Sequence, residues 1–213
     1  KLLNGTLIYE IDDDLLDSAA LEDRGYKGDA KALADRVRLF CDRADLITVS
    51  TPRLAEIFSN YAHKVRLIPN YISADLWKPH LPRRSADAQF CRSEGVVKIG
   101  YVGTPTHDQD LAIIREAISE IQKRHDGRIE IEVIGAFQSS PVQFGKRVGL
   151  PKDNRYPIFV EWLHKRVDWD ISIIPLADNS FNRAKSHLKF LECAALDTAI
   201  LCSDNDLSLI HIS

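Results

Sequence analysis

The chain has 213 residues, which is enough for one large domain or two domains of modest size. Its hydrophobic content of 45% and charged content of 28% are ordinary for a globular protein, and its net charge of −3 gives no electrostatic reason to expect nucleic acid or an anionic membrane as a partner. No apolar run approaches the roughly 18–20 residues that a transmembrane helix needs, and no signal peptide is recognisable, so we expect a cytoplasmic protein.

The cysteines predict reduced thiols rather than disulfides or zinc ligands. They are far apart in the sequence and have no C-x-x-C spacing: Cys41, Cys91, Cys193 and Cys202. The chain contains no methionine, even at position 1, which suggests that it does not begin at its natural start.

Residues 1–80 alternate short apolar strands with helices. Strands are predicted at 6–11, 44–50 and 64–69, and helices are predicted at 30–43 and from Pro52 to about Tyr61. Thr51 and Pro52 are typical of an N-cap and a first helical residue. Such alternation predicts a parallel sheet built from βαβ units.

The regular pattern stops after residue 70, and a proline-containing polar stretch predicts a linker at 81–95. The pattern resumes with strands predicted at 96–102, 129–134, 170–176 and 198–202, and with helices at 108–125, 158–166 and 183–196. The predicted fold class is therefore α/β with two Rossmann-like parallel-sheet units, each truncated relative to a complete doubly wound domain.

Together with the linker at 81–95, this division gives four segments. Residues 1–80 and 96–206 are expected to be two incomplete α/β units. The final residues, 207–213, do not continue the pattern and resemble a translated sequencing-adapter peptide, so we expect a non-native tail.

The predicted helix at 183–196 carries an unusual set of polar residues. At about 100° per residue, Lys185, Lys189 and Glu192 share one stripe of this helix. Lysines in the first turns oppose the partial positive charge of a helix start, where acidic residues are preferred. With Asn182 and Ser186 nearby, the two cations suit an anion with several oxygens, such as a diphosphate. The alternative is a solvated helix face with an ion pair between Lys189 and Glu192.

Three consecutive aspartates, Asp12, Asp13 and Asp14, follow the first predicted strand. They could hold a divalent metal with a nucleotide diphosphate, because carboxylate oxygens suit Mg²⁺ or Mn²⁺. They could also bind a sugar hydroxyl at the carboxyl end of the strand. The third interpretation is that they cap a helix that starts at Leu15 and Leu16.

The strand at 96–102 ends in the sequence Gly-Tyr-Val-Gly, of which Gly103 is the last residue. This is not G-x-G-x-x-G, so it is weak support for NAD binding. Gly103 and Thr104 still permit close backbone approach to a ligand, although a turn glycine explains them equally well. His107 and Asp108 follow the loop and could line the same crevice, but a histidine at a helix start is more often a cap or a surface residue.

The order of these segments resembles the retaining, nucleotide-sugar-dependent glycosyltransferases of the GT-B fold, in the group called glycosyl transferases group 1. Segments similar to the end of that family's amino-terminal domain and its crossover are 44–52, 64–71 (KVRLIPNY) and 75–79 (DLWKP). Segments similar to its donor-binding domain are 97–104, 170–192 and 199–204. The likeness covers roughly residues 44–206, in the order and spacing of several segments. It implies that 1–80 is the carboxyl half of an amino-terminal, acceptor-side domain and that 96–206 is an incomplete domain that binds the nucleotide sugar.

The resemblance places Glu192 at the second glutamate of the family's E-x7-E motif, which binds the ribose hydroxyls of the donor. The first glutamate of that motif falls on Ala184, so the chain departs from the family there. Asn182, Lys185 and Ser186 are the nearby polar groups that could replace it.

The family also commonly uses an arginine and a lysine after the first glycine loop to hold the diphosphate. The corresponding stretch, 104–110 (TPTHDQD), offers neither. Lys185 and Lys189 could take over this charge.

The resemblance therefore implies a retaining, metal-independent glycosyltransferase that moves a sugar from a nucleotide-diphosphate sugar to an acceptor hydroxyl. The nucleotide sugar is a substrate, and no cofactor or nucleic acid is expected; the acceptor could be a glycan or a lipid-linked molecule. The expected catalytic residues are Lys185 and Asn182. The expected donor-binding residues are Gly103, Thr104, Lys185, Ser186, Lys189 and Glu192. The expected acceptor-side residues are Asp12, Asp13 and Asp14.

Three other functions remain open from the sequence. Because Ala184 stands where the family has its first glutamate, a non-catalytic nucleotide or sugar-phosphate binding module of the same fold is one alternative. Because of the three aspartates, a metal-dependent D-x-D transferase is another. A receiver-type signalling domain is disfavoured because it is a single domain. The chain alone is expected to be inactive and poorly soluble, because its first sheet would have an open edge.

Overall fold

The computed structural model describes residues 5–77, 95–104, 107–136 and 144–204. All of the predicted linker except Gly95, and the whole of the predicted tail at 207–213, lie outside these ranges. The described strands are β1 (Ile8–Ile11), β2 (Leu46–Val49), β3 (Val65–Leu67), β4 (Val97–Val102), β5 (Ile129–Ile134), β6 (Lys146–Val148), β7 (Ile171–Ile174) and β8 (Ala199–Cys202). The described α-helices are α1 (Ser18–Asp23), α2 (Ala30–Arg43), α3 (Pro52–Ile57), α4 (Ala74–Trp77), α5 (Asp108–Ala112), α6 (Arg115–Arg124), α7 (Tyr156–Arg166), α8 (Ser180–Arg183) and α9 (Leu188–Ala195).

The chain divides into two compact units, and each contains one parallel sheet. The first unit has the strand order β1-β2-β3 and the second has the order β6-β5-β4-β7-β8. The predicted fold class, α/β with two parallel-sheet units, is confirmed. The strand predicted at each of the seven positions is present, and β6 is an additional short strand that the apolar pattern does not predict.

The first unit is formed by the described residues up to Asn70 together with Asp178–His187 and Asp204. Its strands pair in register, with Ile8 opposite Leu46 and Ile47 opposite Val65. Apolar side chains of β2, α2 and α3 form the core, and a residue of the returning segment joins them. The buried members of this cluster are Ile11, Val37, Cys41, Ala44, Ile47, Val49, Leu54, Phe58 and Ala184.

The interpretation in which the aspartates cap a helix that starts at Leu15 and Leu16 is wrong. The first helix, α1, begins at Ser18, and its N-cap is Asp17, whose carboxylate accepts a hydrogen bond from the Ala20 amide at 3.0 Å. The three preceding aspartates therefore do not cap a helix, although Asp14 accepts a local hydrogen bond from the Leu16 amide at 3.1 Å.

The second unit is formed by the described residues of Tyr71–Ala177 and Leu188–Ser203. Its central strand, β4, lies between β5 and β7, and Gly100 on this strand is required by packing. A Cβ atom at Gly100 would lie 1.7 Å from the indole ring of Trp169. The first glycine of the Gly-Tyr-Val-Gly sequence therefore makes room for a core tryptophan.

A buried polar network links β5 to the chain that precedes β7. Glu132 accepts hydrogen bonds from Arg166 at 2.8 Å and from the Trp169 indole at 3.0 Å. Both carboxylate oxygens are thus satisfied, as a buried charge requires.

The prediction of a single helix at 183–196 is wrong. The structure has two short helices, α8 and α9, which are separated by residues 184–187. The Thr51 hydroxyl donates a hydrogen bond to the Ala184 carbonyl at 2.9 Å. In a continuous helix that carbonyl would instead accept from the Leu188 amide. Lys185 consequently does not lie on the helix that carries Lys189 and Glu192, and the predicted stripe does not exist.

The break also separates these residues between the units. Asp178–His187, which includes α8 and Lys185, belongs to the first unit, whereas α9 belongs to the second. The predicted second domain, 96–206, had contained both. The helix predicted at 108–125 is also interrupted, because α5 ends at Ala112 and α6 begins at Arg115.

Candidate functional site

The amino end of α9 presents a lysine in an unusual environment. The Lys189 ammonium lies 3.4 Å from the Tyr101 hydroxyl and 4.9 Å from the centroid of the Tyr101 ring. Tyr101 is a buried residue near the carboxyl end of β4, so the contact places the start of α9 at that edge of the sheet. The ring face partly compensates the cation for its unfavourable position in the first turn of a helix. Parallel α/β sheets generally bind ligands at this edge.

Glu192 lies one turn after Lys189 and is held by a tyrosine. Its Oε1 atom accepts a hydrogen bond from the Tyr156 hydroxyl at 2.9 Å, and the Trp77 indole donates to the same phenol oxygen at 3.3 Å. Burial raises the pKa of Glu192, while the Tyr156 hydrogen bond and the Lys189 charge act in the opposite direction. Neither Lys189 nor Glu192 is fully exposed, which disfavours a simple solvated helix face.

Tyr156 was not predicted as a site residue. Burial and the negative charge of Glu192 raise its pKa to about 12, so the phenol is protonated at neutral pH and donates to the carboxylate. No local sequence pattern marks this residue, because its partners Trp77 and Glu192 are far from it in the chain.

The glycine loop after β4 is shaped by its own chain. A Cβ atom at Gly103 would lie 2.3 Å from the Tyr101 hydroxyl, and a Cβ atom at Gly135 would lie 2.3 Å from the Gly103 carbonyl oxygen. Glycine is therefore needed at 103 for packing, and close approach to a ligand is not required to explain it. Thr104 is exposed beside it, and its carbonyl accepts a hydrogen bond from the His107 amide at 3.1 Å.

A histidine and an aspartate pair directly after this loop. His107 Nδ1 lies 2.8 Å from Asp110 Oδ2, and Asp110 Oδ1 accepts a hydrogen bond from the Ala177 amide at 3.0 Å. Asp110 is 1% exposed. This carboxylate joins the loop after β4 to the chain after β7, and it was missed from the sequence, although the H-x-x-D spacing at a helix start is a recognisable signal. Asp108, which the sequence suggests beside His107 as a residue lining the crevice, is the first residue of α5.

A second polar cluster lies in the first unit, around the ring of Phe181. The Arg24 guanidinium lies 4.3 Å from the ring centroid and the Lys185 ammonium lies 4.9 Å from it. Arg24 donates a hydrogen bond to the Asn182 side-chain oxygen at 2.7 Å, and Lys185 lies 3.5 Å from Asp13 Oδ1. The structure therefore brings together two expected catalytic residues, Lys185 and Asn182, with one expected acceptor-side residue.

The other expected residues of the first unit differ in accessibility. Asp12 is exposed, whereas Asp14 is 5% exposed, and burial raises the pKa of Asp14 against the effect of its backbone hydrogen bonds. The Ser186 hydroxyl accepts a hydrogen bond from the Asn70 amide group at 3.1 Å. Asp12 and Asp13 are thus better suited to meet a substrate than Asp14.

The expected donor-binding set is therefore divided. Its members in the second unit are Gly103, Thr104, Lys189 and Glu192, and its members in the first unit are Lys185 and Ser186. Within the ranges that the structure describes, no group of three or more histidine, cysteine, aspartate or glutamate residues could hold a metal ion. None of the described helices is both long and apolar enough to cross a membrane.

No protein-family profile matches the chain, and no curated protein matches it. Solved structures do match. The apo structure of OtsA shares 16% sequence identity, with a TM-score of 0.51, over 95% of this chain and 59% of that one. The α,α-trehalose 6-phosphate synthase of Burkholderia multivorans shares 15% identity, with a TM-score of 0.53, over 95% and 58%. A trehalose-6-phosphate synthase studied with bisubstrate glycomimetics, for glycosyl transfer with retention, shares 15% identity, with a TM-score of 0.54, over 95% and 60%.

At 15–16% identity this likeness concerns the fold. The chain spans about 58–60% of the length of these structures. The GT-B type of fold, which the resemblance of the sequence had predicted, is thereby confirmed.

Proposed function

We propose that the chain is part of a glycosyltransferase that moves a sugar from a nucleotide-diphosphate sugar to an acceptor hydroxyl. The observation that carries this proposal is the pair Lys189 and Glu192, which lie one turn apart on a helix at the ligand-binding edge of a parallel sheet. The sheet belongs to a fold shared with trehalose-6-phosphate synthases. A lysine suits a diphosphate, and a carboxylate suits the adjacent hydroxyls of a ribose.

In this proposal the second unit holds the donor. Lys189 binds the diphosphate together with backbone amides in the first turn of α9, which point toward a ligand at the helix start. Glu192 accepts hydrogen bonds from the ribose. Gly103 and Thr104 border the same edge of the sheet, where Thr104 is exposed and has a hydroxyl that can donate to a phosphate oxygen.

The reaction breaks the bond between the anomeric carbon and the diphosphate oxygen, and negative charge develops on the leaving diphosphate. A fixed cation stabilises that developing charge, and such electrostatic stabilisation is usually the largest single contribution to lowering the barrier. The acceptor oxygen forms the new bond to the anomeric carbon, and its proton passes to the leaving diphosphate oxygen. We propose that lysine rather than a divalent metal supplies the positive charge and that the configuration at the anomeric carbon is retained.

The acceptor is assigned to residues of the first unit. Asp12 and Asp13 are accessible carboxylates that can accept hydrogen bonds from sugar hydroxyls, and Lys185 lies beside Asp13. Lys185 is proposed as the catalytic residue. Asn182 is 0% exposed and accepts a hydrogen bond from Arg24, so it is proposed to position the cations around Phe181 rather than to touch the substrate. The acceptor is proposed to be a glycan or a lipid-linked sugar.

The donor site can be tested by titrating UDP, GDP and ADP into the full-length protein by calorimetry. Lys189→Ala is expected to weaken binding of the preferred nucleotide about ten- to a hundredfold, because a charge-assisted hydrogen bond is lost. Lys165→Ala is the matched control, since Lys165 is a lysine of the same unit that pairs with Glu161 at the surface. Equal affinities of the two variants would contradict the proposed donor site.

A non-catalytic binding module is the second candidate function, and one observation favours it. Ala184, at the position of the family's first glutamate, is fully buried in the core of the first unit. It therefore offers no side chain to the donor sugar. Release of nucleoside diphosphate coupled to glycosylation of an acceptor would decide for the enzyme, and activity that EDTA abolishes and Mn²⁺ restores would favour metal chemistry at Asp12–Asp14 instead.

A further inference from the structure

We infer that Tyr156 is a positioning residue that orients the Glu192 carboxylate toward the ribose of a bound nucleotide. The inference rests on the proposed function, because it assigns Glu192 to the donor ribose. It adds a residue that neither the sequence pattern nor the fold likeness identifies.

The first step is the direction of the hydrogen bonds. An indole N–H can only donate, so Trp77 donates to the Tyr156 oxygen across 3.3 Å. The phenol proton is then directed to Glu192 Oε1, 2.9 Å away. Trp77, Tyr156 and Glu192 thus form a chain with one polarity, and the pKa of Tyr156, raised to about 12, keeps the phenol protonated.

The second step is that the phenol is itself held in place. Trp77 is 2% exposed and packs in a core cluster with Val160 and Leu163 of α7. Its ring also contacts the imidazole of His164 edge-on, with ring centroids 4.9 Å apart. Because Tyr156 is the first residue of α7, the same helix carries the phenol and the side chains that fix its hydrogen-bond donor.

The third step concerns the carboxylate. The terminal torsion of a glutamate is broad, so an unconstrained carboxylate would rotate. The bond from Tyr156 fixes Oε1, and among the described residues Oε2 accepts no hydrogen bond. Oε2 is therefore the atom available to vicinal ribose hydroxyls, and its orientation depends on the phenol.

The expected consequence is a preference for ribose over deoxyribose that depends on Tyr156. Binding of UDP, GDP and ADP, and of their 2′-deoxy and 3′-deoxy forms, would be measured by calorimetry for the full-length protein. A site with a partly buried acceptor for a hydroxyl rejects the analogue that lacks it, so the ribonucleotide is expected to bind at least about tenfold more tightly than one of the deoxy forms.

In Tyr156→Phe this ratio is expected to fall at least about threefold, while the affinity for the deoxy form stays constant. Tyr156 is 43% exposed and loses only an oxygen, so the variant is expected to fold, and a melting curve checks this. Tyr71→Phe is the control, because Tyr71 is a tyrosine of the same unit that is 74% exposed. In a Glu192→Gln background, Tyr156→Phe should not change the ratio further, whereas a merely structural role would not depend on residue 192.

The outcomes separate the two proposals. An unchanged ratio in Tyr156→Phe, with ribonucleotides still bound, would overturn the positioning role and leave the proposed function standing. If none of the nucleoside diphosphates binds the unmutated protein, the proposed function fails and this inference fails with it.

Discussion

Single side chains in this structure divide into those that serve packing and those that a ligand could reach. Gly103 is predicted from the sequence to permit close approach to a ligand, and Gly100 begins the same Gly-Tyr-Val-Gly sequence. Each makes room for an aromatic ring of its own unit, Tyr101 for Gly103 and Trp169 for Gly100. Glu132 is likewise a structural residue, because Arg166 and Trp169 occupy both of its oxygens. Lys189 and Glu192 differ, since tyrosines hold them at the edge of the sheet.

Glu132→Gln is expected to destabilise the second unit by about 2 kcal/mol at pH 7, because Arg166 loses its counter-charge, and partial exposure of Arg166 limits the loss. Burial raises the pKa of Glu132, but the hydrogen bonds from Arg166 and Trp169 outweigh it, and the net pKa is lowered from 4.5. A lowered pKa gives stability that is present above the unfolded-state pKa and is lost as the pH falls through the folded-state pKa.

The difference in free energy of unfolding between the two proteins should therefore shrink from pH 7 to below pH 4.5. Urea titrations at several pH values measure it. Glu120→Gln is the control, since Glu120 forms an exposed pair with Arg124. A constant difference across this pH range would show that the charge of Glu132 does not contribute.

The helices and strands show which parts of the fold are determined by the local sequence alone. The seven predicted strands could be read from apolar runs, and α2 from its 3.6-residue period, because these patterns reflect burial against one sheet. β6 was missed since its three residues, Lys146–Val148, carry no such pattern. The division of 183–196 into α8 and α9 could not be predicted, because it depends on a bond between Thr51 and Ala184, which are 133 residues apart.

The same argument explains which residues of the candidate site could be identified from the sequence. Lys189 and Glu192 were identified because a lysine near a helix start and a glutamate one turn later are local signals. Tyr156 and Asp110 were not, since their roles come from partners on other elements. The predicted neighbourhood of Lys185 was wrong for the same reason that the helix was wrong.

Thr51→Val is expected to destabilise the first unit by about 2–3 kcal/mol, because it removes the N-cap of α3 and leaves the buried Ala184 carbonyl without its donor. Hydrogen exchange of the Leu54 amide and a urea titration measure the effect. Thr51→Ser keeps the hydroxyl and should cost much less. A larger loss in Thr51→Ser than in Thr51→Val would show that the methyl group, not the hydroxyl, supports this junction.

The two units carry different parts of the proposed chemistry. In the proposal, α9 of the second unit provides the cation Lys189 and the Glu192 carboxylate, which accepts hydrogen bonds from the ribose. The first unit provides accessible aspartates beside Lys185. The first sheet has three strands, and Ile8 and Leu67 on its two edge strands are 55% and 45% exposed. Exposed apolar edges favour association with other strands, so poor solubility of the chain alone stays a prediction.

Lys185→Ala and Lys189→Ala should therefore affect different quantities in the full-length protein, kcat in the first case and the Kd for nucleoside diphosphate in the second. Lys189→Ala is expected to raise the Kd for nucleoside diphosphate. Lys185→Ala is expected to lower kcat at least about tenfold with a smaller change in that Kd, because a residue that acts mainly in the transition state affects kcat. Lys64→Ala is the control for the first unit, since the Lys64 ammonium donates to the backbone carbonyls of Asp42 and Ala44 and lies 5.5 Å from the centroid of the Tyr61 ring.

Steady-state rates, with the preferred nucleotide sugar varied at fixed acceptor, together with calorimetric Kd values separate these effects. If Lys185→Ala weakens nucleotide binding as much as Lys189→Ala and leaves kcat unchanged, Lys185 is a donor-binding residue and the catalytic assignment is wrong. If it changes neither quantity, its contacts with Asp13 and Phe181 serve only to stabilise the first unit. A loss confined to kcat, by contrast, requires that the first unit takes part in the chemical step, because Lys185 belongs to that unit.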